Sequence, residues 1–241
     1  MGGDESPFFL YSFPLSNNRI KDAITSFEQD NNIFKPQCHI NNGAKAMMPV
    51  KTIEKAKQYR DKVFLVAGGR IGDTFSFADW GNSALEFIKE RVCRNEIVYS
   101  TTNDVVTIAL AQESNPSKIV IGVFFQYFGF GKLFDRIRKR CTNILLRLEK
   151  KFGFEDIVFA GALAERLLQS GMFENKNDSI HYVLAVWKQA KDDLQGYMGN
   201  ASHIHRLRKH KMYNVFDYTF RIDTCDVVPG LEYEKIINLM Q

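Results

Sequence analysis

Short apolar runs alternate with amphipathic stretches along most of the chain. A continuous apolar run that ends in glycine or in a polar block indicates a buried strand, and apolar positions three and four residues apart indicate a helix. Strands that alternate with helices favour an α/β fold with a parallel or mixed sheet covered by helices. The predicted strands are residues 8–11, 44–50, 63–67, 97–99 and 119–125, and the predicted helices are residues 19–27, 52–60, 83–92, 105–112, 155–169 and 178–197.

Local signals refine this pattern. Thr52 and Ser83 are the predicted N-caps of two of the helices. Apolar residues at helical spacing over 132–150 indicate one long amphipathic helix. From Asn200 the chain becomes polar and basic. It contains no internal repeat, low-complexity segment or clear linker, so we predict a single domain over residues 1–241.

The composition is that of a globular protein, with 241 residues, 45% hydrophobic and 25% charged. No apolar run reaches the roughly 18 residues of a membrane span, and the chain does not start like a signal peptide. The first six residues fit a myristoylation pattern only formally, because no basic patch follows. The four cysteines form no Cys-x-x-Cys pair, so we expect reduced thiols in a cytoplasmic protein without membrane contact.

Two small polar blocks are the main candidates for chemistry. Residues 79–83 (Asp-Trp-Gly-Asn-Ser) and 100–104 (Ser-Thr-Thr-Asn-Asp) offer hydroxyl, amide and backbone N–H groups, and the second follows a predicted strand directly. In open α/β sheets ligands bind beyond the carboxyl ends of the strands, so both blocks are suited to hold an anion. The net charge of +4 agrees only weakly with this. The alternative is that both blocks are ordinary helix N-caps.

Other motifs have simpler explanations. The stretch 128–132 (Phe-Gly-Phe-Gly-Lys) lacks the spacing of a phosphate-binding loop, so a turn or helix start is favoured. The basic run 203–211 is typical of a nucleic-acid patch but has no interleaved aromatic residues, which favours a polar surface or a substrate contact. His203 and His205 resemble a metal pair without an evident third ligand. Acidic residues at 155–156 suit the positive end of a helix dipole.

The order of these blocks is more informative than any one of them. The chain resembles the 2-phosphosulfolactate phosphatase family of coenzyme M biosynthesis over roughly residues 41–230. Each block is weak alone, but seven in the family's order are specific. The matching stretches are residues 42–46 with 49–50, 68–70, 79–83, 101–103, 154–156 with 160–162, 202–203 with 206–207, and 226–229.

This resemblance implies a three-layer α/β/α fold with a mixed, largely parallel sheet, and the magnesium-dependent hydrolysis of 2-phospho-3-sulfolactate to 3-sulfolactate and phosphate. It also implies a strand over 143–148, after a helix that ends near residue 140, in place of the long helix. The implied partner is a small anionic phosphorylated substrate rather than nucleic acid, and a homo-oligomer is left open. The implied site consists of Arg70, Asn103 and Glu155 as catalytic residues, of Asn82, Ser83, Thr101, Thr102 and His203 as substrate ligands, and of Asp79 and Asp156 as ligands of Mg²⁺.

The chain departs from the family pattern at several of these places. The family's opening strand carries Asp-x-x-Arg, which is absent near residues 24–33, so residues 1–40 form a divergent N-terminal segment. Glu28 and Asp30 are the nearest acidic substitutes there. Gly69 stands where the family has glutamate, and Asp104 stands where it has glycine. The alternative is therefore a catalytically impaired member that binds an anionic metabolite or a protein partner.

Overall fold

A computed structural model provides the structure of the chain. It describes residues 9–14, 21–26, 36–70, 73–81, 86–100, 108–109, 112, 118–122, 124, 129, 132–133, 140–144, 147–148, 151–152, 154–171, 173–175, 178–199, 201, 204–205, 220–222 and 224–240. The strands are β1 Phe9–Pro14, β2 Lys21–Ser26, β3 Ala46–Val50, β4 Leu65–Arg70, β5 Asp73–Thr74, β6 Glu96–Ser100, β7 Lys118–Gly122, β8 Arg140–Ile144, β9 Arg147–Leu148, β10 Lys151–Phe152, β11 Phe173–Asn175, β12 Pro229–Glu232 and β13 Lys235–Asn238. The helices are α1 Pro36–Asn41, α2 Ile53–Asp61, α3 Lys89–Val92, α4 Phe154–Gln169, α5 Asp178–Ala190 and α6 Leu194–Met198.

Eleven of these strands form one mixed sheet in the order β11-β1-β8-β2-β7-β12-β13-β3-β6-β4-β5, and β9 pairs with β10 apart from it. Two groups of three strands are parallel inside the sheet: β8, β2 and β7, and then β3, β6 and β4. Three antiparallel pairings, through β12 and β13, connect β7 to β3. An odd number of reversals means that the two parallel groups run in opposite directions.

The α/β class and the mixed sheet are confirmed, but the expectation of a largely parallel sheet is wrong. Among the described neighbours in the sheet, four pairs are parallel and six are antiparallel. The hairpin of β12 and β13 accounts for three of the six antiparallel pairs, because it is inserted between the two parallel groups. The three-layer arrangement stays a prediction.

Several predicted elements are confirmed. Thr52 caps α2, and its side chain accepts a hydrogen bond from the Lys55 backbone N–H at 3.1 Å. The strands at 44–50, 63–67, 97–99 and 119–125 correspond to β3, β4, β6 and β7, and the helix at 155–169 corresponds to α4. In the stretch 132–150, β8 and β9 replace the single long helix, as the family resemblance implied, although β8 begins at Arg140.

Three helix predictions need correction. Residues 19–27 contain β2, a strand between two parallel neighbours, so pairing partners decide the conformation of this segment. Of the helix expected over 83–92, the first three residues lie outside the described part, and within residues 86–92 the α-helix is limited to the four residues of α3. The helix expected over 178–197 is interrupted after Ala190, because Asp193 caps a new helix by accepting a hydrogen bond from the Gly196 N–H at 2.9 Å. Most of the predicted helix at 105–112 lies outside the described residues.

The contact between α4 and α5 is very close. Gly161 lies where a Cβ atom would overlap the Val183 carbonyl oxygen and come within 2.6 Å of the Trp187 Cβ. Trp187 Nε1 donates to a Glu165 carboxylate oxygen at 2.8 Å, and Lys191 Nζ donates to the other at 3.0 Å. Burial alone raises the pKa of Glu165, but these two hydrogen bonds and the lysine charge outweigh it and lower that pKa. The helix pair is therefore held by shape and by a shared polar contact.

A second part of the core contains a histidine. His39 of α1 is fully buried, stacks on Phe87 with ring centroids 3.5 Å apart, and places Nδ1 2.6 Å from Met47 Sδ. Burial lowers the pKa of His39 well below 6.5, because the charged imidazolium would lose its hydration. The neutral ring thus behaves as an aromatic core residue that joins α1 to β3.

The described part of the chain bears on the expectations of reduced thiols and of no membrane span. Neither Cys93 nor Cys225 is joined in a disulfide among the described residues. No described helix is long and apolar enough to cross a membrane.

Candidate functional site

The strands β3, β6 and β4 end side by side at one edge of the sheet, where an edge is the line formed by the strand ends and not an outermost strand. Ser100, the last residue of β6, is in register with Val50 at the end of β3 and with Gly68 near the end of β4. Adjacent strands are about 4.8 Å apart. The chain therefore exits the sheet at three neighbouring points along this edge. Lys51 follows β3, the block Thr101–Asn103 follows β6, and Arg70 ends β4. The register therefore brings the ends of β3, β6 and β4 next to each other along this edge, with Ser100, the first residue of a predicted anion-binding block, in the middle.

Close packing holds this edge. A Cβ atom on Gly68 would lie 2.9 Å from the Phe75 ring and 3.3 Å from the Ser100 Cβ, so glycine is required for β6 and the Phe75 ring to approach. Ser100 is fully buried, and its hydroxyl has no hydrogen-bond partner among the described residues. Within the same described set, the buried Trp80 Nε1, next to Ala67 of β4, also has none. The edge thus carries buried polar groups suited to a ligand or to the adjoining chain.

A cavity of about 260 Å³ opens at the same edge. Sequence reasoning did not single out three of its polar residues, Lys51 just before α2 and Lys55 and Tyr59 on α2. Lys55 and Tyr59 gave a usable signal, because residues four apart lie on one face of a helix, and Lys51 lies between the end of β3 and the N-cap Thr52 of this helix. The remaining lining residues come from β3, from the segment after β6 and from the β12–β13 turn: Met48, Pro49, Val50, Ile108, Ala109, Gln112, Leu231 and Glu234.

Asp79 has a different environment from the one expected of a metal ligand. Its Oδ2 accepts a hydrogen bond from Arg60 Nη1 at 2.8 Å and another from the Val66 backbone N–H at 2.8 Å. Val66 is the second residue of β4, so Asp79 lies toward the amino end of that strand. The carboxylate therefore fastens α2 to β4. Its role as a ligand of Mg²⁺ stays a prediction.

Glu155 and Asp156 lie at the opposite edge of the sheet. The end of α4 leads into β11, where Phe173 pairs with Pro14 at the carboxyl end of β1. Because β1 is antiparallel to β8, this end of α4 lies near the amino ends of β8 and β2. The helix has 16 residues and spans about 24 Å, so its first turn lies toward the carboxyl ends of β8, β2 and β7.

Core contacts support this placement of the first turn of α4. Phe159, one turn further along, contacts Phe124, which follows the carboxyl end of β7 by two residues, with ring centroids 5.3 Å apart. Both carboxylates are almost fully buried, Glu155 at 2% exposure and Asp156 at 1%. Since β6 is four strand spacings from β7, or about 19 Å, these carboxylates do not meet the Ser100 edge within one copy of the chain.

The remaining predicted site residues cannot be placed. Asn82, Ser83, Thr101, Thr102, Asn103 and His203 lie outside the described residues, as does the side chain of Arg70, and so do Glu28 and Asp30. Over the described chain there is no group of three or more His, Cys, Asp or Glu side chains that could hold a metal ion. Mg²⁺ commonly uses only one or two carboxylates together with waters and phosphate oxygens. The pair Glu155 and Asp156 has suitable chemistry for this, whereas Asp79 does not lie with the pair.

Comparison with known proteins gives a consistent result. A family model described as 2-phosphosulpholactate phosphatase matches residues 37–234. A probable 2-phosphosulfolactate phosphatase of Caldanaerobacter subterraneus subsp. tengcongensis is 28% identical over 195 residues, which cover 79% of this chain and 80% of that protein. Similar proteins described in the same words are 26% identical in Thermotoga maritima, with 80% and 81% covered, and 28% identical in Microcystis aeruginosa, with 79% and 80% covered. The family match begins after β2.

Proposed function

This chain belongs to the 2-phosphosulfolactate phosphatase family, and on that premise we propose that it hydrolyses a small phosphomonoester that carries further acidic groups. The first candidate substrate is 2-phospho-3-sulfolactate. In that reaction water replaces the sulfolactate oxygen on phosphorus, and 3-sulfolactate and phosphate are released. The observation that carries the proposal is the register of Val50, Ser100 and Gly68, which aligns the ends of β3, β6 and β4 beside a basic cavity.

The chemistry of the edge suits this substrate class. A phosphomonoester needs several donors around its oxygens, and Thr101, Thr102 and Asn103 follow Ser100 directly in the chain. Arg70 ends the neighbouring strand, and a guanidinium can donate two parallel hydrogen bonds to a phosphate. In the proposal these four residues, with Asn82 and Ser83, hold the phosphoryl group and stabilise the negative charge that develops during its transfer. His203 is proposed as a further substrate ligand.

Magnesium is part of the proposal through the family. When bound, it would polarise the phosphoryl group and lower the pKa of a coordinated water. Glu155 and Asp156 are buried carboxylates, the hard oxygen ligands that Mg²⁺ prefers. In one copy of the chain, however, a metal held by this pair would lie too far from the Ser100 edge to polarise a phosphoryl group bound there. Because this pair and Ser100 lie at opposite edges, we derive no catalytic step that passes through the metal.

The test is phosphate release by the purified protein, with Mg²⁺ and with a chelator in its place. The substrates are 2-phospho-3-sulfolactate and a panel of simple phosphomonoesters. We expect magnesium-dependent release, and we expect Asn103→Ala to lower kcat/KM about 100-fold. Asn95→Ala is the matched control, because Asn95 precedes the same strand at its other end and its side chain donates only to the Arg91 carbonyl among the described groups. Absence of phosphate release from every ester would refute the proposal.

The separation of the two edges favours a second candidate, a protein that binds an anionic metabolite without hydrolysing it. In one copy of the chain, Glu155 and Asp156 lie away from the edge that carries Ser100 and the two cavity lysines. Asp104 also places a negative charge beside the donor block. This candidate predicts that 3-sulfolactate or phosphate stabilises the protein against heat while no ester is turned over. Magnesium-dependent turnover that Asn103→Ala abolishes would exclude it.

A further inference from the structure

We propose that the cavity beside β3 is a binding site for the acidic groups of the ligand that are not transferred, with Lys51 and Lys55 as their cationic partners. The inference rests on the proposed function for the identity of the ligand, a short organic dianion such as a sulfonate-carboxylate. It does not depend on catalysis, because the lysines would bind the same dianion in a protein that does not hydrolyse it.

The first argument is charge. Lys51 and Lys55 both line the cavity, and neither ammonium group has an ion-pair or hydrogen-bond partner in the described part of the chain. Glu234 is the acidic residue that lines the same cavity, so two positive charges face one negative charge and the formal sum is +1. A ligand with two negative charges would neutralise both lysines, and Glu234 would disfavour a more highly charged ligand.

The second argument is position. Val50 of β3 and Ser100 of β6 are in register, and neighbouring strands are about 4.8 Å apart. Lys51 follows Val50, whereas the donors proposed for the phosphoryl group follow Ser100. A molecule of three carbon atoms can therefore reach the cavity with its acidic groups while its phosphoryl group lies beyond Ser100.

The third argument is size and shape. The cavity has about 260 Å³, which is below the roughly 300–1,000 Å³ of pockets for drug-sized ligands. One side of it is apolar, with Ile108 and Leu231, and suits the short carbon backbone of a metabolite. The Tyr59 ring is fixed by an edge-on contact with Phe64, with centroids 5.4 Å apart. In the proposal, Tyr59, which lines the cavity with the two lysines, adds a hydrogen bond from its hydroxyl to the dianion.

The experiment is calorimetric titration of the full chain with 3-sulfolactate, and with lactate as a ligand that lacks the sulfonate. We expect Lys51→Gln and Lys55→Gln each to weaken 3-sulfolactate binding about 5- to 20-fold, and the double variant to weaken it at least 50-fold. Lactate binding should fall less, because one charge is missing. Tyr59→Phe should weaken binding about 3-fold, since it removes only the hydroxyl.

Lys57→Gln is the matched control. Lys57 lies on the same helix and its substitution changes the charge equally, but it does not line the cavity. We expect less than a 2-fold effect. An equal loss with Lys57→Gln would mean that the helix charge acts at a distance, and unchanged affinity in the two cavity variants would mean that the dianion binds elsewhere. Either result overturns the inference, as does a wild-type protein that does not bind 3-sulfolactate.

Parallel assays of phosphate release separate this inference from the proposed function. Binding of 3-sulfolactate through the lysines without turnover of any ester would refute the phosphatase proposal and leave the cavity assignment intact. In an active enzyme, the double variant should raise KM for 2-phospho-3-sulfolactate and leave KM for a phosphomonoester without other acidic groups unchanged. An equal rise for both substrates would overturn the cavity assignment alone.

Discussion

The two groups of parallel strands differ in what they present at their carboxyl ends. The β3, β6 and β4 group ends in a basic cavity and a buried serine, Ser100, which the predicted donors Thr101–Asn103 follow in the sequence. The β8, β2 and β7 group ends beside the first turn of α4, where two carboxylates are buried. Because the groups run in opposite directions, these features lie at opposite edges of one sheet.

This difference shows how far a general rule can be applied. Ligands bind at the carboxyl ends of parallel strands, but in a mixed sheet that rule holds for each parallel group separately. Family motifs that follow one another along the chain are therefore distributed over both edges. The charges differ as well, since one edge offers lysines and the other offers carboxylates. The predictions below test whether the two edges are as separate as the structure places them.

The largest change in the free energy of unfolding is expected where α4 packs against α5. Gly161→Ala should lower the free energy of unfolding by about 2–3 kcal/mol, because the new methyl group would overlap the Val183 carbonyl and press α5 away. Urea denaturation measures this. Gly171→Ala is the control: Gly171 has φ 69° and no neighbouring atom within 4 Å, so it should lose only about 1 kcal/mol through backbone strain. Equal losses in both variants would show that α4 and α5 can separate without cost.

A somewhat smaller loss of stability is expected where Asp79 connects α2 to β4. Asp79→Ala should cost about 2 kcal/mol, because it leaves the Val66 N–H and the Arg60 guanidinium without their shared acceptor. Asp79→Asn should cost less, since an amide oxygen can still accept from Val66, and the side chains of the pair are 39% and 18% exposed. Thermal denaturation with and without Mg²⁺ is the measurement. If Asp79→Asn removes stabilisation by Mg²⁺, Asp79 is a metal ligand after all.

The variant Asp156→Asn tests whether the carboxylates of α4 and the cavity lysines belong to separate sites. At a Mg²⁺ concentration ten times its Kd, the metal should stabilise the wild-type protein by about 1.4 kcal/mol, and this increment should disappear in the variant. The affinity for 3-sulfolactate should stay within about 2-fold, since sites so far apart act independently. The double variant Lys51→Gln, Lys55→Gln should lose affinity for 3-sulfolactate and keep the stabilisation by Mg²⁺. A variant at one edge that impairs both ligands would show that the edges share one site.

The smallest effect concerns pH. Burial holds the pKa of His39 well below 6.5 in the folded chain, so the unfolded chain binds a proton that the folded chain does not. Stability should therefore rise with pH, and it should fall by about 1 kcal/mol from pH 6.5 to pH 5.5 through this residue. His39→Gln should flatten that part of the profile, whereas the same change at the exposed His181 should not. An unchanged slope in His39→Gln would assign the pH dependence to other groups.

Local patterns in the sequence predicted much of the β3, β6 and β4 region. The apolar run 63–67 and the Thr52 cap are local signals, and the corresponding strand and helix formed at those places. The segment 19–27 has apolar spacing compatible with a helix, yet β7 and β8 hold its residues 21–26 as a strand. Pairing between distant segments thus overrode the local pattern.

The arrangement of the candidate site depends even more on contacts between distant segments than the fold does. The family motifs identified which residues to consider, but no motif states the direction of a strand. That direction depends on how β12 and β13 pair, about 100 residues further along the chain than β7. The cavity was missed because Lys51, Lys55 and Tyr59 become a site only when Ile108 and Leu231 close it from elsewhere in the chain.

The β12–β13 hairpin also sets a condition on how the protein can fold. These strands are synthesised after both parallel groups, yet they lie between β7 and β3. Until they are added, the facing edges of both groups expose unpaired backbone groups that can associate with other chains. Contacts between such distant segments slow folding. We therefore expect the growing chain to depend on protection by chaperones until this hairpin joins its two halves.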